Sequence, residues 1–416
     1  MKTDVVVIGG GPAGMSCALS ASGTGASVVL LEREYRLGGI LNQCIHNGFG
    51  LHYFNEELTG PEYANRWEQK IASNKKIKIM CNTFVNRLSR GVDFFVEATS
   101  PQGIVNIEAK SVVLAMGCRE RPAGAIFLAG ERPAGIFTAG CAQAIVNLQG
   151  KMVGKKVAIL GSGDIGLIMA RRLVCEGAEV VGIFEIMDKC GGIARNYTQC
   201  VQDFKIPLHL STTITRVKGK KRLLGVYCAP MVDGKPELNR EKFVPCDTLL
   251  LSVGLTPETE LVANLGLETY PFTKSFAVDE FLQTSVEGLF LAGNILQVND
   301  LVDNVSKDGE IAGTSAGLYA LGKLQTGEKI EVAHDEHIRY TVPKYVYKTD
   351  GKVRLSFRTD KEYRRIFVNA TSNEKQIAHN PVITITNGQI YSFELDKSKL
   401  GTDLKLSIEQ QQTEVK

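Results

Sequence analysis

The chain has 416 residues, 44% hydrophobic and 22% charged, with a formal net charge of +3, which suits two or three ordinary globular domains. That charge gives no sign of a nucleic-acid or anionic-membrane partner, and no apolar run approaches the ~20 residues that span a bilayer. The first strand begins at about residue 4, leaving no room for a secretory leader, so the expected location is cytoplasmic.

Val5-Val6-Val7-Ile8 is a β-branched run of one buried strand's length, and it leads directly into Gly9-Gly10-Gly11-Pro12-Ala13-Gly14. Small apolar residues carry a helical pattern to Ser22, and Ser27 to Leu31 reads as a second strand ending at Glu32. Strand, glycine turn, helix, strand and acid in this order form a dinucleotide-binding arrangement. Gly9 allows the tight turn, Gly11 lets backbone approach a pyrophosphate, and Gly14 lets the helix pack close on the strand. The N–H groups of the helix start then face the anion. Glu32 is placed to accept hydrogen bonds from a ribose hydroxyl pair. Gly38-Gly39 offers a second place for backbone to meet a ligand.

Residues 61–74 read as a helix with Pro61 at its start and Trp67 on one face. Ile77 to Met80 reads as a strand, and Val85, Phe94–Ala98 and Ile104–Ala109 as a meander. Ser111 to Gly117 is a buried parallel strand stopping at a glycine, followed by the polar turn Cys118-Arg119-Glu120-Arg121-Pro122. The opening pattern then repeats. Lys156 to Leu160 runs into Gly161-Ser162-Gly163-Asp164-Ile165-Gly166, a helix continues through Leu173, and a strand from Glu179 ends at Glu185. Gly191-Gly192 follows Glu185 at the interval by which Gly38-Gly39 follows Glu32. Two copies imply two dinucleotide-binding domains.

A strand over Ile206–Ser211, a hairpin at Asp233-Gly234, and the strand from Thr248 to Gly254 complete the second copy. Leu289 to Asn294 is a further strand ending in a polar residue, and Gly309 to Gly322 is a helix rich in Ala and Gly. From about Lys329, alternating strands and the turns Asp350-Gly351 and Asn387-Gly388 suggest a small antiparallel β module whose last dozen polar residues fray. The ten cysteines never approach closer than the 10 residues between Cys190 and Cys200, so CxxC and CxxxxC are both absent and no metal site is expected. Most are expected to be reduced, buried, small hydrophobes.

Two such units and a strand ending Ala292-Gly293-Asn294 resemble the FAD/NAD(P)-dependent pyridine nucleotide–disulfide oxidoreductase superfamily over about residues 1–330. The resemblance implies an α/β fold with two Rossmann-like domains. FAD binding falls to 1–117 with 256–329, NAD(P) binding to 118–255, and a β-rich domain to 330–416. It implies that Gly9, Gly11, Pro12, Ala13, Gly14, Glu32 and Arg33 hold the adenosine and pyrophosphate of FAD, with backbone at Val85 near the adenine. Gly38, Gly39, Ala115, Gly117, Gly293 and Asn294 line the remainder, and the family usually has aspartate where Asn294 stands. Leu301 and Val302 fall where backbone N–H groups meet the flavin pyrimidine edge. Gly161, Gly163, Asp164, Ile165, Gly166, Glu185 and Gly254 take the nicotinamide dinucleotide, and Glu185 favours NAD(H) over NADP(H), because a 2′-phosphate would meet a carboxylate.

A narrower resemblance rests on Gly117 to Pro122, Arg132 to Gly140, and Gly39 to His46. These runs look like the FAD subunits of opine and proline dehydrogenases, hydrogen cyanide synthase and heterotetrameric sarcosine oxidase. They look most like the FAD/NAD oxidoreductase associated with glycerol 3-phosphate dehydrogenase. The redox CxxxxC of disulfide reductases is missing; Cys44 or His46 falls at its place, depending on the alignment. Cys44 is then either a lone redox thiol or a passive wall, and His46 either a proton-transfer group or structural. His52 reads as structural, and Arg119 and Arg121 as phosphate or partner contacts or a solvated turn. The expected enzyme passes hydride between NAD(P)H and FAD and exchanges electrons with a partner subunit, with homo-oligomers also possible and glycerol 3-phosphate a candidate substrate. The alternatives are a stand-alone NADH oxidase or peroxidase using Cys44, and a flavin-retaining component of an amino-acid or opine dehydrogenase complex.

Overall fold

The β-branched run at the N-terminus extends as the strand Lys2–Ile8, with Val5 to Ile8 sealed from solvent. A strand hydrophobic on both faces must lie inside a sheet covered by helices. Accordingly it pairs in parallel with Val28–Leu31 on one side and with the end of Gly103–Leu114 on the other. The computed structural model describes residues 1–386 and 388–411. The chain divides into one unit built from Met1–Cys118 with everything from Pro257 onward, and a second built from Arg119–Thr256.

In the first unit the sheet runs Ile77–Met80, Val28–Leu31, Lys2–Ile8, Gly103–Leu114, Phe94–Ser100, Phe84–Arg90, and Leu289–Leu291 adds in parallel to Gly103–Leu114. The sequence suggests two strands around Lys110, but there is one twelve-residue strand. Its first half closes the meander in antiparallel fashion with Phe94–Ser100, and its second half lies parallel to Lys2–Ile8. Lys110 stands where the strand changes partner, its ammonium 2.9 Å from Asp4 on the neighbouring strand Lys2–Ile8. The helix Gly60–Ala72 is fixed by a capping box between Thr59 and Glu62, worth about 1 kcal/mol. It buries Tyr63, Trp67 and Ile71.

The helices Pro12–Gly23 and Val302–Ala320 pack face to face with unusually small residues between them. Gly309, Gly313 and Gly317 meet the backbone of Ala13, Cys17 and Ala21. No helix among the described residues is long and apolar enough to cross a membrane.

The second unit repeats the plan. Its parallel sheet runs Ile136–Thr138, Thr248–Leu251, Lys156–Leu160, Glu179–Phe184, Leu208–His209. The strand expected over Ile206–Ser211 shrinks to two residues. An antiparallel layer of Thr212–Lys218, Gly225–Val232 and Lys242–Pro245 follows, and the chain reverses at Asp233-Gly234, both with positive φ.

The chain from Glu328 forms two sheets around a hydrophobic core of their own, including Val346, Leu355, Phe357, Val368 and Leu406. Two expectations for this module fail. It is not purely antiparallel, because Glu328–His334 pairs in parallel with Leu404–Gln410. Nor does the tail fray through its last dozen residues: Leu404–Gln410 is an interior strand, paired on its other side with Tyr363–Ser372. Leu404 and Leu406 are buried on the module side, and that burial outweighs the polar residues between them. The expected turn at Asn387-Gly388 falls partly outside the described residues, at Asn387, as do residues 412–416.

Candidate dinucleotide sites

In each unit a glycine turn is locked against the end of a neighbouring strand. At Gly9 φ is +106°, and a Cβ there would lie 2.5 Å from the carbonyl oxygen of Ala115. At Gly161 φ is +90°, and a Cβ would lie 2.2 Å from the carbonyl oxygen of Ser252. Gly14 packs so closely that its Cβ would overlap the oxygen of Gly9. Only glycine fits these three positions. Gly11 differs: a Cβ there would meet nothing within 4 Å. The turn is therefore open above Gly11, where a ligand's backbone contact is expected. The helix that begins at Pro12 has no side-chain cap, which leaves its positive end available to an anion.

The two acids occupy matching positions and share two backbone bonds, to which Glu185 Oε2 adds a third bond from Ser162 Oγ at 2.6 Å. Glu32 Oε2 accepts from Gly10 N at 2.6 Å, and Oε1 from Glu34 N at 2.8 Å. Glu185 Oε2 accepts from Ser162 N at 2.8 Å, and Oε1 from Met187 N at 2.9 Å. Both carboxylates are buried. Each is held in its plane by two backbone donors with lone pairs remaining, the arrangement of a fixed acceptor for paired hydroxyls. Beside Glu32, Thr83 N donates to the Glu32 carbonyl at 2.8 Å, which brings the chain leading to Val85 against this corner. Arg33 is exposed and lies 3.9 Å from Glu34.

The second glycine pair closes over the first in both copies. Gly38 N donates to Gly10 O at 2.9 Å, and Gly39 approaches Gly11, where a Cβ would sit 3.1 Å from its Cα. In the second unit Gly191 N donates to Ser162 Oγ at 2.7 Å. At Gly293, a Cβ would lie 2.9 Å from Ala13 Cβ, so the returning strand abuts the opening helix. Asn294 Oδ1 accepts from Asn299 N at 3.0 Å, and its Nδ2 faces Cys118 Sγ at 3.8 Å. The amide therefore suits its surroundings: one end meets a donor and the other an acceptor. Leu301 and Val302 stand at the start of the helix Val302–Ala320, which has no side-chain cap either. Gly9, Gly11, Pro12, Ala13, Gly14, Glu32, Gly38, Gly39, Ala115, Gly293 and Asn294 thus converge on one end of one sheet. The strand expected to run to Gly117 ends at Leu114, and Gly117, with φ +71°, lies in the turn that leads to Cys118.

The second site departs from the first in two ways that the motif spacing conceals. Ser252 stands where Ala115 does, and its Oγ accepts from Gly166 N at 3.2 Å, so a side chain already occupies part of this helix start. Asp164 Oδ1 accepts from Ile193 N at 2.9 Å and Asn196 Nδ2 at 2.7 Å, committing it to the segment after Gly192. Ile165 packs on the unit's core, and Gly254, with φ +96°, accepts from Arg121 N. Glu120 binds Gly140 N and Cys141 N, at 2.8 and 3.2 Å, at the start of Ala139–Gln149. The polar crossover turn is thereby a structural fastening.

Cys44 ends the short turn Gly39–Gln43, its Sγ 3.3 Å from Ile40 O, and Gly60 packs against its Cβ. Desolvation pushes this thiol up to about 12. His46 Nδ1 lies 3.0 Å from Asn47 O, and its ring packs on Phe49 at 5.0 Å. His52 N binds Asp303 Oδ2 at 2.9 Å.

Residues 3–309 match the family profile of pyridine nucleotide-disulphide oxidoreductases. A thioredoxin reductase of Listeria monocytogenes is 26% identical over 323 residues, covering 76% of this chain and 93% of that one. An opine oxidase subunit of Agrobacterium tumefaciens is 25% identical over 351 residues, 77% of this chain and 66% of that one. In the crystal structure of T. acidophilum thioredoxin reductase, 25% identical, the fold superposes with a TM-score of 0.64 over 77% of this chain and 99% of that one. The match and the two glycine-turn sites agree: the chain belongs to the pyridine nucleotide-disulphide oxidoreductase family, as a flavin-dependent NAD(P)H oxidoreductase.

Proposed function

We propose that the first unit binds FAD, that the second binds NAD(H), and that electrons pass between this chain and a partner oxidoreductase subunit. The observation that carries the reading is the pair of buried acids, Glu32 and Glu185, each fixed by two backbone donors at the end of its glycine turn. In this reading Gly9, Gly11, Pro12, Ala13 and Gly14 carry the FAD pyrophosphate and Glu32 its ribose. Gly38, Gly39, Ala115, Gly117, Gly293 and Asn294 border the ribityl chain, and Val85, Leu301 and Val302 offer backbone. Gly161, Gly163, Ile165, Gly166, Glu185 and Gly254 receive NAD(H), while Asp164 positions the Gly192 segment around it. The carboxylate of Glu185 and the absence of arginine from Glu185 to Lys189 support NAD(H) over NADP(H).

Bound FAD supplies hydride acceptance and one-electron transfer, chemistry that needs no acid or base from the protein. The chain's contribution is to hold and orient. The uncapped start of Val302–Ala320 presents positive potential where negative charge develops. Cys44 supports this reading over a stand-alone peroxidase: a peroxide-reducing cysteine must ionise near neutrality, whereas burial pushes Cys44 up to about 12. The similarity to the opine oxidase protein, and the runs Gly117–Pro122 and Arg132–Gly140, support a partner-dependent enzyme. Glycerol 3-phosphate is the substrate we propose for the assembled complex, with an amino-acid or opine substrate the second reading. Anaerobic NADH should bleach the yellow purified protein. A protein that retains FAD but is bleached by neither NADH nor NADPH would refute the proposal, and turnover with glycerol 3-phosphate should appear only after the partner is added.

A further inference from the structure

The strand Lys352–Thr359 of the C-terminal module alternates strictly. Val353, Leu355 and Phe357 point into the module's own core. The period-2 rule then puts Arg354, Ser356 and Arg358 on the opposite face. There Arg358 Nη2 donates to Val298 O at 2.7 Å and to Asp300 Oδ1 at 3.0 Å, while its Nε donates to Tyr340 Oη at 3.1 Å. Asp300 Oδ2 is taken by the backbone N–H of Ile390, also from the module, at 2.8 Å. Arg354 Nη2 donates to Asn304 Oδ1 at 2.9 Å, and Nη1 stands 3.7 Å from Asp308 Oδ1. Asp308 Oδ2 accepts from Asn299 Nδ2 at 3.2 Å, and Asn299 N binds Asn294.

Apart from the bond to Tyr340 within the module, these contacts of both arginines fall on residues 298–308, the segment after Asn294 and the first turns of the helix Val302–Ala320. We propose that the C-terminal module is a clamp on the flavin site, with Arg358 its main positioning residue, fixing the segment whose backbone at Leu301 and Val302 faces the flavin. The inference rests on the assignment of FAD to the first unit. Arg358 outranks Arg354 because all three of its guanidinium nitrogens are hydrogen-bonded, Nη1 to Gly388 O in addition to the bonds above. Arg354 Nη1 instead opens on a cavity of about 200 Å³, where it, Gln297 Oε1 and Glu280 Oε2 have no hydrogen-bond partner. A guanidinium that grips a backbone carbonyl and a carboxylate together fixes a loop in two directions, which an ammonium cannot do from one point.

The test uses the full-length protein stripped of FAD and then reconstituted, with affinity read from flavin fluorescence and the flavin midpoint potential from anaerobic dye titration. Arg358→Met should raise the FAD Kd by about tenfold, as expected for losing half-buried charged hydrogen bonds, and should shift the potential. Arg358→Lys should recover part of the affinity, and Asp300→Asn added to Arg358→Met should cost little more, because the pair is already broken. KM for NADH should stay unchanged in all three. Should Arg358→Met fail to fold, Arg358→Lys and Asp300→Asn decide alone: affinity and potential equal to wild type in both overturn the clamp. Wild-type protein that does not rebind FAD would instead overturn the assignment beneath it. If Gly11→Val abolishes rebinding while Arg358→Met leaves Kd and potential unchanged, the assignment stands and the clamp falls.

Discussion

Gly313→Ala should destabilise the protein, although alanine is the better helix former. In the helix Val302–Ala320 the added Cβ would lie 2.2 Å from Cys17 O and 2.8 Å from Cys17 Cα. A relaxed contact is about 3.5 Å, so the Pro12–Gly23 and Val302–Ala320 helices must separate by more than ~1 Å. Both sides are backbone, and no rotamer change relieves the overlap. Overpacking of this kind costs up to ~3 kcal/mol, helix propensity returns ~1, and the net loss is about 2 kcal/mol. With ~2.1 cal/mol/K of unfolding entropy per residue, that corresponds to a Tm lower by about 2–4 °C. Gly23→Ala is the matched control, because its Cβ would meet nothing within 4 Å and its Tm should hold or rise. Thermal melts followed by circular dichroism read both. Gly309→Ala adds a functional readout: its Cβ would sit 2.3 Å from Ala13 O, so it should weaken FAD rebinding more than Gly313→Ala does. A Gly313→Ala protein that melts at or above the Gly23→Ala protein refutes the reasoning.

Glu185→Gln keeps the shape that binds Ser162 N but removes the charge; steady-state kinetics should show a KM for NADH about tenfold higher and a narrowed preference over NADPH, and an unchanged ratio counts against Glu185 as the ribose acceptor. Cys44→Ser should leave NADH-driven flavin reduction and any oxygen or peroxide turnover unaltered, and lost turnover would restore the peroxidase reading. Asp279 should make stability fall with rising pH. Burial raises it from 3.8 to about 6, so the folded chain holds this proton in a range where the unfolded chain has released it. Stability from this group is full below about pH 4 and declines through about pH 6, by roughly 3 kcal/mol in all. Asn can replace it well, because both backbone donors, Phe281 N and Gln283 N, reach the same oxygen. Asp279→Asn should therefore gain on wild type between pH 4 and 7 in denaturant titrations, and a constant difference contradicts the assignment.

Both glycine turns were legible because their logic is local: a β-branched strand, a turn only glycine can make, and an acid at the end of the next strand. The two Glu residues took up equivalent backbone bonds in both units for the same reason. Other features depend on distant neighbours and left no trace in spacing. Ser252 caps Gly166 from a strand 86 residues away. Arg358 reaches Val298 across 60 residues. One signal was present and could have been used: Arg354 and Arg358 sit four apart on an alternating strand, so they share the face opposite Val353, Leu355 and Phe357. Likewise Leu404, Leu406 and Ile408 alternate with Lys405, Ser407 and Glu409, a strand pattern that overall polarity disguised.

The position of Leu404–Gln410 orders events on the ribosome. Both glycine turns emerge early, with most of their sheet partners close behind. The module cannot close its sheet until Ile408 has emerged, because Glu328–His334 and Tyr363–Ser372 have no shared neighbour before then. A chain halted near residue 400 would carry every glycine of both turns, yet show two bare strand edges able to pair with other chains. Completion of Leu404–Gln410 is thus the step that separates a nascent chain at risk of aggregation from one whose module is closed.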